Sequence, residues 1–283
     1  MNRGAVYFAV GEQYLEEAKA SARSVKEHSA LDITLFTDQN IAGEPFDDVV
    51  QVDSDRPLLN VIDCLRRTPY DRTLFLDTDT YVAADISPVF DLLERYDICL
   101  AHAPNWKAMA DYGSLWGEAP ETFPLFNTGV VLYRDTPEVI DLFARWEDLY
   151  EENFADTTDQ ISFRAALWES DASVGTLQPN FNCFYKFPGW VNGRVRVLHG
   201  RDDDVMDWQE LAERFNRAET PRVFTGHTDR RILAYPPPFA SIRYPGPGRL
   251  RTYARRIRGR MQEDGAWETA KTVVRRLPRL LTR

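Results

Sequence analysis

The sequence predicts an α/β fold, a mixed and mostly parallel sheet flanked by helices, followed by a basic amphipathic helical tail. Three observations carry this reading. Short apolar runs alternate with helical stripes along most of the chain, the pattern of a parallel or mixed sheet covered on both faces. The length of 283 residues, 43% hydrophobic and 28% charged, suits one large α/β domain with an appendage. The charge also divides the chain. Residues 249–283 hold 11 basic and 3 acidic residues, a balance of +8, and the remainder carries −18 of a net −10. The domain boundaries read from this are 1–245 for the α/β domain and 246–283 for the tail.

The elements follow in order. "AVYFAV" (Ala5–Val10) is a first strand. Leu15, Ala18, Ala22 and Val25 recur at helical spacing after it. "DITLFTD" and "DVVQV" give strands two and three, and Leu58, Leu59, Ile62 and Leu65 form a second helical stripe. "RTLFLD" is strand four, Ile86–Arg95 is helical, and "DICLAH" is strand five. From Ala103 to Leu125 the chain is rich in Trp, Pro, Gly and Tyr without periodicity, as in a lid or binding loop. "FNTGVVLYR" (Phe126–Arg134) is a further strand. Thr136 is expected to cap the next helix, with Pro137 at its first position and Val139, Leu142, Phe143 and Trp146 on one face. "TTDQISFRAALWES" is helical, "VRVLHG" (Val195–Gly200) is a short strand, and the Pro-rich stretches at 235–239 and 244–248 end the body.

Cys64, Cys99 and Cys183 are far apart, odd in number and set among apolar residues, so they read as buried reduced thiols, which fits a cytoplasmic protein. The N-terminal apolar segment is too short for a signal peptide and reads as strand one, and no run reaches membrane-spanning length. Only five of the 34 basic residues are lysines. This bias fits a salt-adapted cytoplasm and GC-rich coding equally well.

Chemistry concentrates at "FLDTDTYV". In sheets of this kind ligands bind outside the carboxyl ends of the strands, where Asp77 and Asp79 stand. Two close carboxylates facing a crevice are costly unless one takes a proton or a cation lies between them. Mg²⁺ or Mn²⁺ accepts carboxylate oxygens and leaves positions for phosphate. A solvated Asp-rich turn is the competing reading in an acidic protein.

"YDRTLFLDTDTYVAADISPVFDL" resembles the metal-binding segment of nucleotide-sugar-dependent glycosyltransferases with the GT-A fold, most closely the retaining glycogenin and bacterial galactosyltransferase-like family (glycosyltransferase family 8). "FNTGVVLYR", "TDQISF", "VRVLHG" and the opening "VGEQYLEEAKASARSVKEHS" are similar to further segments of that family, in order, over roughly residues 5 to 200. The resemblance implies that Asp77, Asp79 and His199 hold Mn²⁺ (or Mg²⁺) against a donor diphosphate. It implies a nucleoside pocket at Ala9, Val10 and Tyr14, with Asp38 nearby and Thr78 facing the ribose. It also implies that Asn127, Thr128 and Gly129 contact donor sugar or acceptor, and that Asp159, Gln160 and Asn127 serve catalysis. Each residue has a bland alternative: His199 as a hydrogen-bonded core histidine, Asp159 as a helix cap, Asn127 as a strand-edge residue and Tyr14 as core.

The sequence departs from the family after the histidine, where "HGRDDDVMDW" lacks the diphosphate lysine and leaves Arg201 as the substitute. The function so implied is transfer of a hexose from a nucleotide diphosphate sugar, UDP-sugar favoured, to a carbohydrate, lipid-linked glycan or other hydroxyl acceptor. The rivals are a nucleotide-sugar-binding or scaffold protein with weak catalysis and a sugar-phosphate nucleotidyltransferase. The latter needs a Gly-rich basic N-terminal loop that "AVGEQYLEEA" does not supply. In the tail, Leu250, Tyr253, Ile257 and Met261 recur among arginines. Such helices lie on anionic membrane surfaces or pack on an acidic body, so the protein is expected in the cytoplasm, with a peripheral place on the inner face of the membrane if the tail binds lipid. Nucleic acid is not expected as a partner, since the body has the wrong sign of charge and no recognition motif.

Overall fold

The computed structural model describes residues 2–53, 57–103, 118–154, 159–200, 207–224 and 232–234. The chain divides into two compact units, Met1–Ala234 and Tyr235–Arg283. The tail and its proposed helices lie outside the described residues, as do Arg201 and the centre of the loop after Ala103.

Unit one is built on a seven-stranded sheet. Its strands are β1 (Arg3–Ala9), β2 (Asp32–Thr37), β3 (Asp48–Gln51), β4 (Arg72–Leu76), β6 (Ile98–His102), β7 (Phe126–Arg134) and β8 (Val174–Thr176), in the order β3-β2-β1-β4-β7-β6-β8. β3, β2, β1 and β4 run parallel, β7 is antiparallel to both neighbours, and β6 pairs with β8 in parallel. The sheet is therefore mixed and mostly parallel, as the alternation of elements predicts.

The central strands are apolar on both faces because both are covered. Along β1 the side chains alternate. Val6 and Phe8 join one core with Ile62 and Leu65 of α2 (Pro57–Arg66), Val139, Phe143 and Trp146 of α3 (Pro137–Leu149), and Ile161 and Phe163 of α4 (Asp159–Glu169). Ala5, Tyr7 and Ala9 join the other, with Leu15, Ala18, Ala22 and Val25 of α1 (Glu12–His28) and with Val89, Phe90 and Leu93. The last three lie on a 3₁₀ turn, Ser87–Glu94, where the sequence suggests an ordinary helix. All three cysteines are buried and free, as expected.

Thr136 occupies the cap position of α3, but its hydroxyl makes no capping bond and is buried without a partner. The helix start is set instead by Pro137 and by the Thr136 carbonyl, which accepts from Val139 and Ile140.

A small three-stranded sheet, β5 (Thr80–Val82), β11 (Val197–His199) and β9 (Cys183–Phe184), stands on the carboxyl edge of the main sheet. Another joins β10 (Gly189–Val191), β12 (Arg222–Phe224) and β13 (Ile232–Ala234). Val191, Leu198 and Phe224 form a satellite core with Ala212 and Phe215 of α5 (Trp208–Asn216). These strands are two or three residues long, too short for a period to show in sequence, and only β11 is expected from it.

Candidate functional site

Asp77 follows β4 directly, and its N–H donates to the carbonyl of Gly129 in the middle of β7, 2.8 Å away. The turn from Asp77 to Thr80 is fixed by a buried relay. The Thr80 hydroxyl donates to the Asp77 carbonyl (2.7 Å), which uses its one proton. Ser21 of α1 must then donate to Thr80 (2.8 Å), and Tyr7 of β1 to Ser21 (2.8 Å). The relay ties the Asp-x-Asp turn to the central strand and to α1. Burial pushes the Tyr7 phenol upward, so it remains a donor throughout the working range.

β5 carries the chain away from Asp79 and pairs antiparallel with β11, placing His199 opposite Thr80. His199 Nε2 thereby comes 3.4 Å from Asp79 Oδ1 and 3.6 Å from Asp77 Oδ2. The His199 side chain is only 4% exposed, whereas that of Asp77 is 45% exposed, so the cluster opens on the Asp77 side. Ligand atoms of Asp77, Asp79 and His199 all lie within 4.8 Å of one another.

Two features show that the cluster fits a divalent cation. The donor set of two carboxylates and one imidazole suits Mn²⁺ better than Mg²⁺. The floor of the cluster is also kept open by Gly129. A Cβ there would stand 2.3 Å from His199 Cε1 and 2.5 Å from Asp77 Oδ2.

The orientation of His199 is decided by a residue the sequence reading missed. The Gly129 N–H donates to Asn127 Oδ1 (3.2 Å), which fixes that atom as an acceptor. Asn182 therefore turns its Nδ2 to Asn127 (2.8 Å) and its Oδ1 to His199 Nδ1 (3.0 Å). Nδ1 must carry a proton, and Nε2 is left to face the carboxylates. Burial alone would lower the pKa of His199, but the two aspartates outweigh it and raise it to about 9. Without a metal the imidazolium holds the two carboxylates together. Asn182 lies in "PNFNCF", where no local pattern marks it.

Asp159 begins α4. Burial pushes its carboxyl above the usual range; the Thr128 hydroxyl, 2.6 Å from its Oδ2, opposes the shift, and repulsion from Asp77 adds to it. Backbone N–H groups of Gln160 and of Asp159 itself also oppose the shift. Thr78 turns its hydroxyl to Glu17 of α1, 2.9 Å away.

The other expected nucleoside residues gather at the ends of β1 and β2, on the same edge of the sheet. Ala9 is buried and Val10 half-buried. Asp38 accepts from the Gly11 N–H (2.9 Å), which holds its carboxyl below the usual range and fixes a turn in which Gly11 has φ +86°. Tyr14 is 43% exposed rather than core.

Among the described residues, one cleft borders Asp79 and another borders Asn127 and Asn182. One of about 340 Å³ lies between α1 and β5, lined by Glu16, Glu17, Asp79, Tyr81 and Trp208, with Tyr81 and Trp208 stacked at 5.9 Å. The other, about 150 Å³, is lined by Asn127, Asn182, Phe184, Phe187 and Trp190 among others.

No family model matches the sequence, and no curated protein matches it. Among solved structures the chain is similar to galactosyltransferase LgtC in complex with donor and acceptor sugar analogues, with 17% identity, a TM-score of 0.55, and coverage of 76% of this chain and 94% of that one. It is also similar to a glutamine-to-glutamate active-site mutant of LgtC, with 17% identity, a TM-score of 0.56 and the same coverage of 76% and 94%. At this identity the likeness establishes the fold, and the chain has the GT-A fold that its sequence segments imply.

Proposed function

We propose that this chain is a metal-dependent glycosyltransferase that moves a hexose from a nucleotide diphosphate sugar, UDP-sugar favoured, to a hydroxyl acceptor with retention at the anomeric carbon. The observation that carries the reading is the Asp77, Asp79 and His199 cluster at the carboxyl end of β4 in a GT-A sheet. Asp77, Asp79 and His199 would hold Mn²⁺. When bound, the ion supplies Lewis-acid stabilisation of charge on the departing nucleoside diphosphate.

The chain's own residues do the rest. Asn182 holds His199 in the tautomer that presents Nε2, and Gly129 keeps side chains out of the space beside it. Ala9, Val10, Tyr14 and Asp38 border the nucleoside, and Thr78 the ribose. Thr128 aims the Asp159 carboxylate. With Gln160, that carboxylate faces the reacting sugar and stabilises positive charge at the anomeric carbon. The anomeric C–O bond to the diphosphate breaks, a bond to the acceptor oxygen forms, and the acceptor proton passes to the departing diphosphate. Arg201 would add charge for the diphosphate, and the basic tail would bring a lipid-linked glycan acceptor from a membrane surface.

The test is titration of UDP and GDP into the protein with and without Mn²⁺, repeated on Asp79→Ala. The expected result is metal-dependent binding of UDP that the variant loses. Binding of neither nucleotide to folded protein would overturn the reading, and donor turnover would separate an enzyme from a binding protein. No helix among the described residues is long and apolar enough to cross a membrane.

A further inference from the structure

Thr80 is fastened to all three members of the Asp77, Asp79 and His199 cluster. Its hydroxyl donates to the Asp77 carbonyl (2.7 Å), and its N–H donates to the same oxygen (3.2 Å). It follows Asp79 directly and stands opposite His199 in the pairing of β5 with β11. That pairing continues through the Gly200 N–H, which donates to the Asp79 carbonyl (3.0 Å). Residues 77–80 therefore form a β-turn closed on itself. The two carboxylates leave from its first and third residues, and the imidazole faces it from the opposite strand. The N–H bond that closes the turn is at the long end of the ordinary range, and the hydroxyl bond is the shorter of the two. The Thr80 side chain is thus a main restraint on the turn.

The hydroxyl is itself held in place. A threonine hydroxyl free to rotate can turn to another acceptor. Here Ser21 donates to it, and Tyr7 donates to Ser21, so each rotor has one setting. Tyr7, Ser21 and Thr80 are 0%, 1% and 2% exposed, and hydroxyls aligned in a buried setting polarise one another along the line, here toward the Asp77 carbonyl. Tyr7 belongs to the apolar core on the α1 side of the sheet, where a polar group is costly unless it is paired. Ser24, one turn further along α1, accepts from the Val82 N–H (2.9 Å). Strand β5 is fastened to α1 at both of its ends.

We infer that Thr80 is a positioning residue for the cation site, and that Ser21 and Tyr7 act through it. Together they preset the spacing of Asp77, Asp79 and His199, which reduces the ordering that the ion must impose on its ligands. This inference rests on the reading of the cluster as a Mn²⁺ site and adds three residues that support it without supplying a ligand atom.

The test is calorimetric titration of Mn²⁺, with and without UDP, into the native protein and into Thr80→Val, Thr80→Ser, Ser21→Ala, Tyr7→Phe and Thr34→Val, with melting temperatures measured in chelator. Thr80→Val should weaken Mn²⁺ binding about tenfold, the lower end of what loss of an outer partner costs a metal site. Thr80→Ser keeps the hydroxyl and should bind nearly as the native protein does. Ser21→Ala should have a smaller effect and Tyr7→Phe the smallest. Adding Ser21→Ala to Thr80→Val should weaken binding no further, because Ser21 acts through Thr80. Thr34 is the control. It is 1% exposed on β2, beyond β1 from β4, and its hydroxyl bonds that of Tyr70 at 2.9 Å. Thr34→Val should lower the melting temperature and leave Mn²⁺ affinity unchanged. Native Mn²⁺ affinity in Thr80→Val overturns the inference, whatever its melting temperature, and so does a Thr80→Ser variant that binds as weakly as Thr80→Val. Should Thr80→Val not fold, native affinity in Ser21→Ala has the same force. Each of these results leaves the metal site standing, whereas a native protein that binds no Mn²⁺ with or without UDP overturns both.

Discussion

The two edges of the main sheet handle carboxylates in opposite ways. At the edge where β6 begins, Asp97 is clasped by the guanidinium of Arg134, at the end of β7, and by the hydroxyl and N–H of Ser173, just before β8. Burial works against the charge of Asp97, but these donors prevail and hold its carboxyl below the usual range. At the edge where β4 ends, Asp77 and Asp79 face a histidine whose positive charge is a removable proton, and Asp159 stands near with its carboxyl pushed upward. An arginine partner is permanent, so the first arrangement can only be architecture. A protonated histidine can yield its place to a metal, so the second can exchange one cation for another. The lesson is that the identity of the partner, more than the density of acid, separates a structural carboxylate from a functional one.

The largest effect that would sharpen this contrast is removal of one carboxylate at each edge. Asp79→Ala should abolish Mn²⁺-dependent UDP binding and lower donor turnover by about 10²–10³ or more. Asp97→Ala should leave UDP binding intact and lower the melting temperature. A loss of nucleotide binding in Asp97→Ala would break the comparison.

Next is Gly129→Ala. Its methyl would fall inside the space shared by His199 and Asp77, so Mn²⁺ binding should be lost in isothermal titration while the protein still folds. Overpacking of this kind costs about 1–3 kcal/mol, which thermal unfolding should register. Full Mn²⁺ affinity in that variant would show that the metal does not lie where the cluster places it.

A smaller effect is expected from Asn182→Ala, which removes the acceptor for His199 Nδ1 while sparing all three ligands. Mn²⁺ affinity should fall about 10–100-fold, the usual consequence of losing a partner that orients a metal histidine.

The smallest effect is in pH. The pKa of His199 in the folded, metal-free protein, about 9, lies above the ordinary value of 6.5. Its contribution to stability is thus complete below pH 6.5 and is lost as pH rises through about 9. Melting temperatures in chelator should decline over that window, and His199→Gln should flatten the decline. Over the same window Mn²⁺ binding should tighten with rising pH and release a proton below pH 9, measurable by titration in buffers of different ionisation enthalpy. Asp97 has the opposite sign: its folded pKa is depressed, so its contribution is lost only as pH falls below the ordinary carboxylate value of 3.8.

Much of this was legible in the chain alone. The strands of the main sheet other than β8 are four to nine residues long, and these strands and the helices up to Glu169 could be read in order, whereas three-residue β8 and α5 were not read from the sequence. Asp77 and Asp79 stood out because two like charges directly after a buried strand need an explanation. Thr136 misled because a residue type suited to capping says nothing about where its hydroxyl points once Pro137 has set the helix. Asn182 was invisible because it lies in a segment too short for periodicity, and asparagine is common in turns.

The sequence by itself determined the fold class and the acidic end of β4, since both depend on near neighbours along the chain: a period of two or of 3.6, and a charge after an apolar run. Only the tertiary structure decided what stands around that end. The pairing of β11 with β5 brings His199 beside residues more than a hundred positions earlier, while Gly129 arrives from β7 and Asn182 from the turn just before β9. Such meetings are set by strand register and packing across the whole core, and no local pattern encodes them.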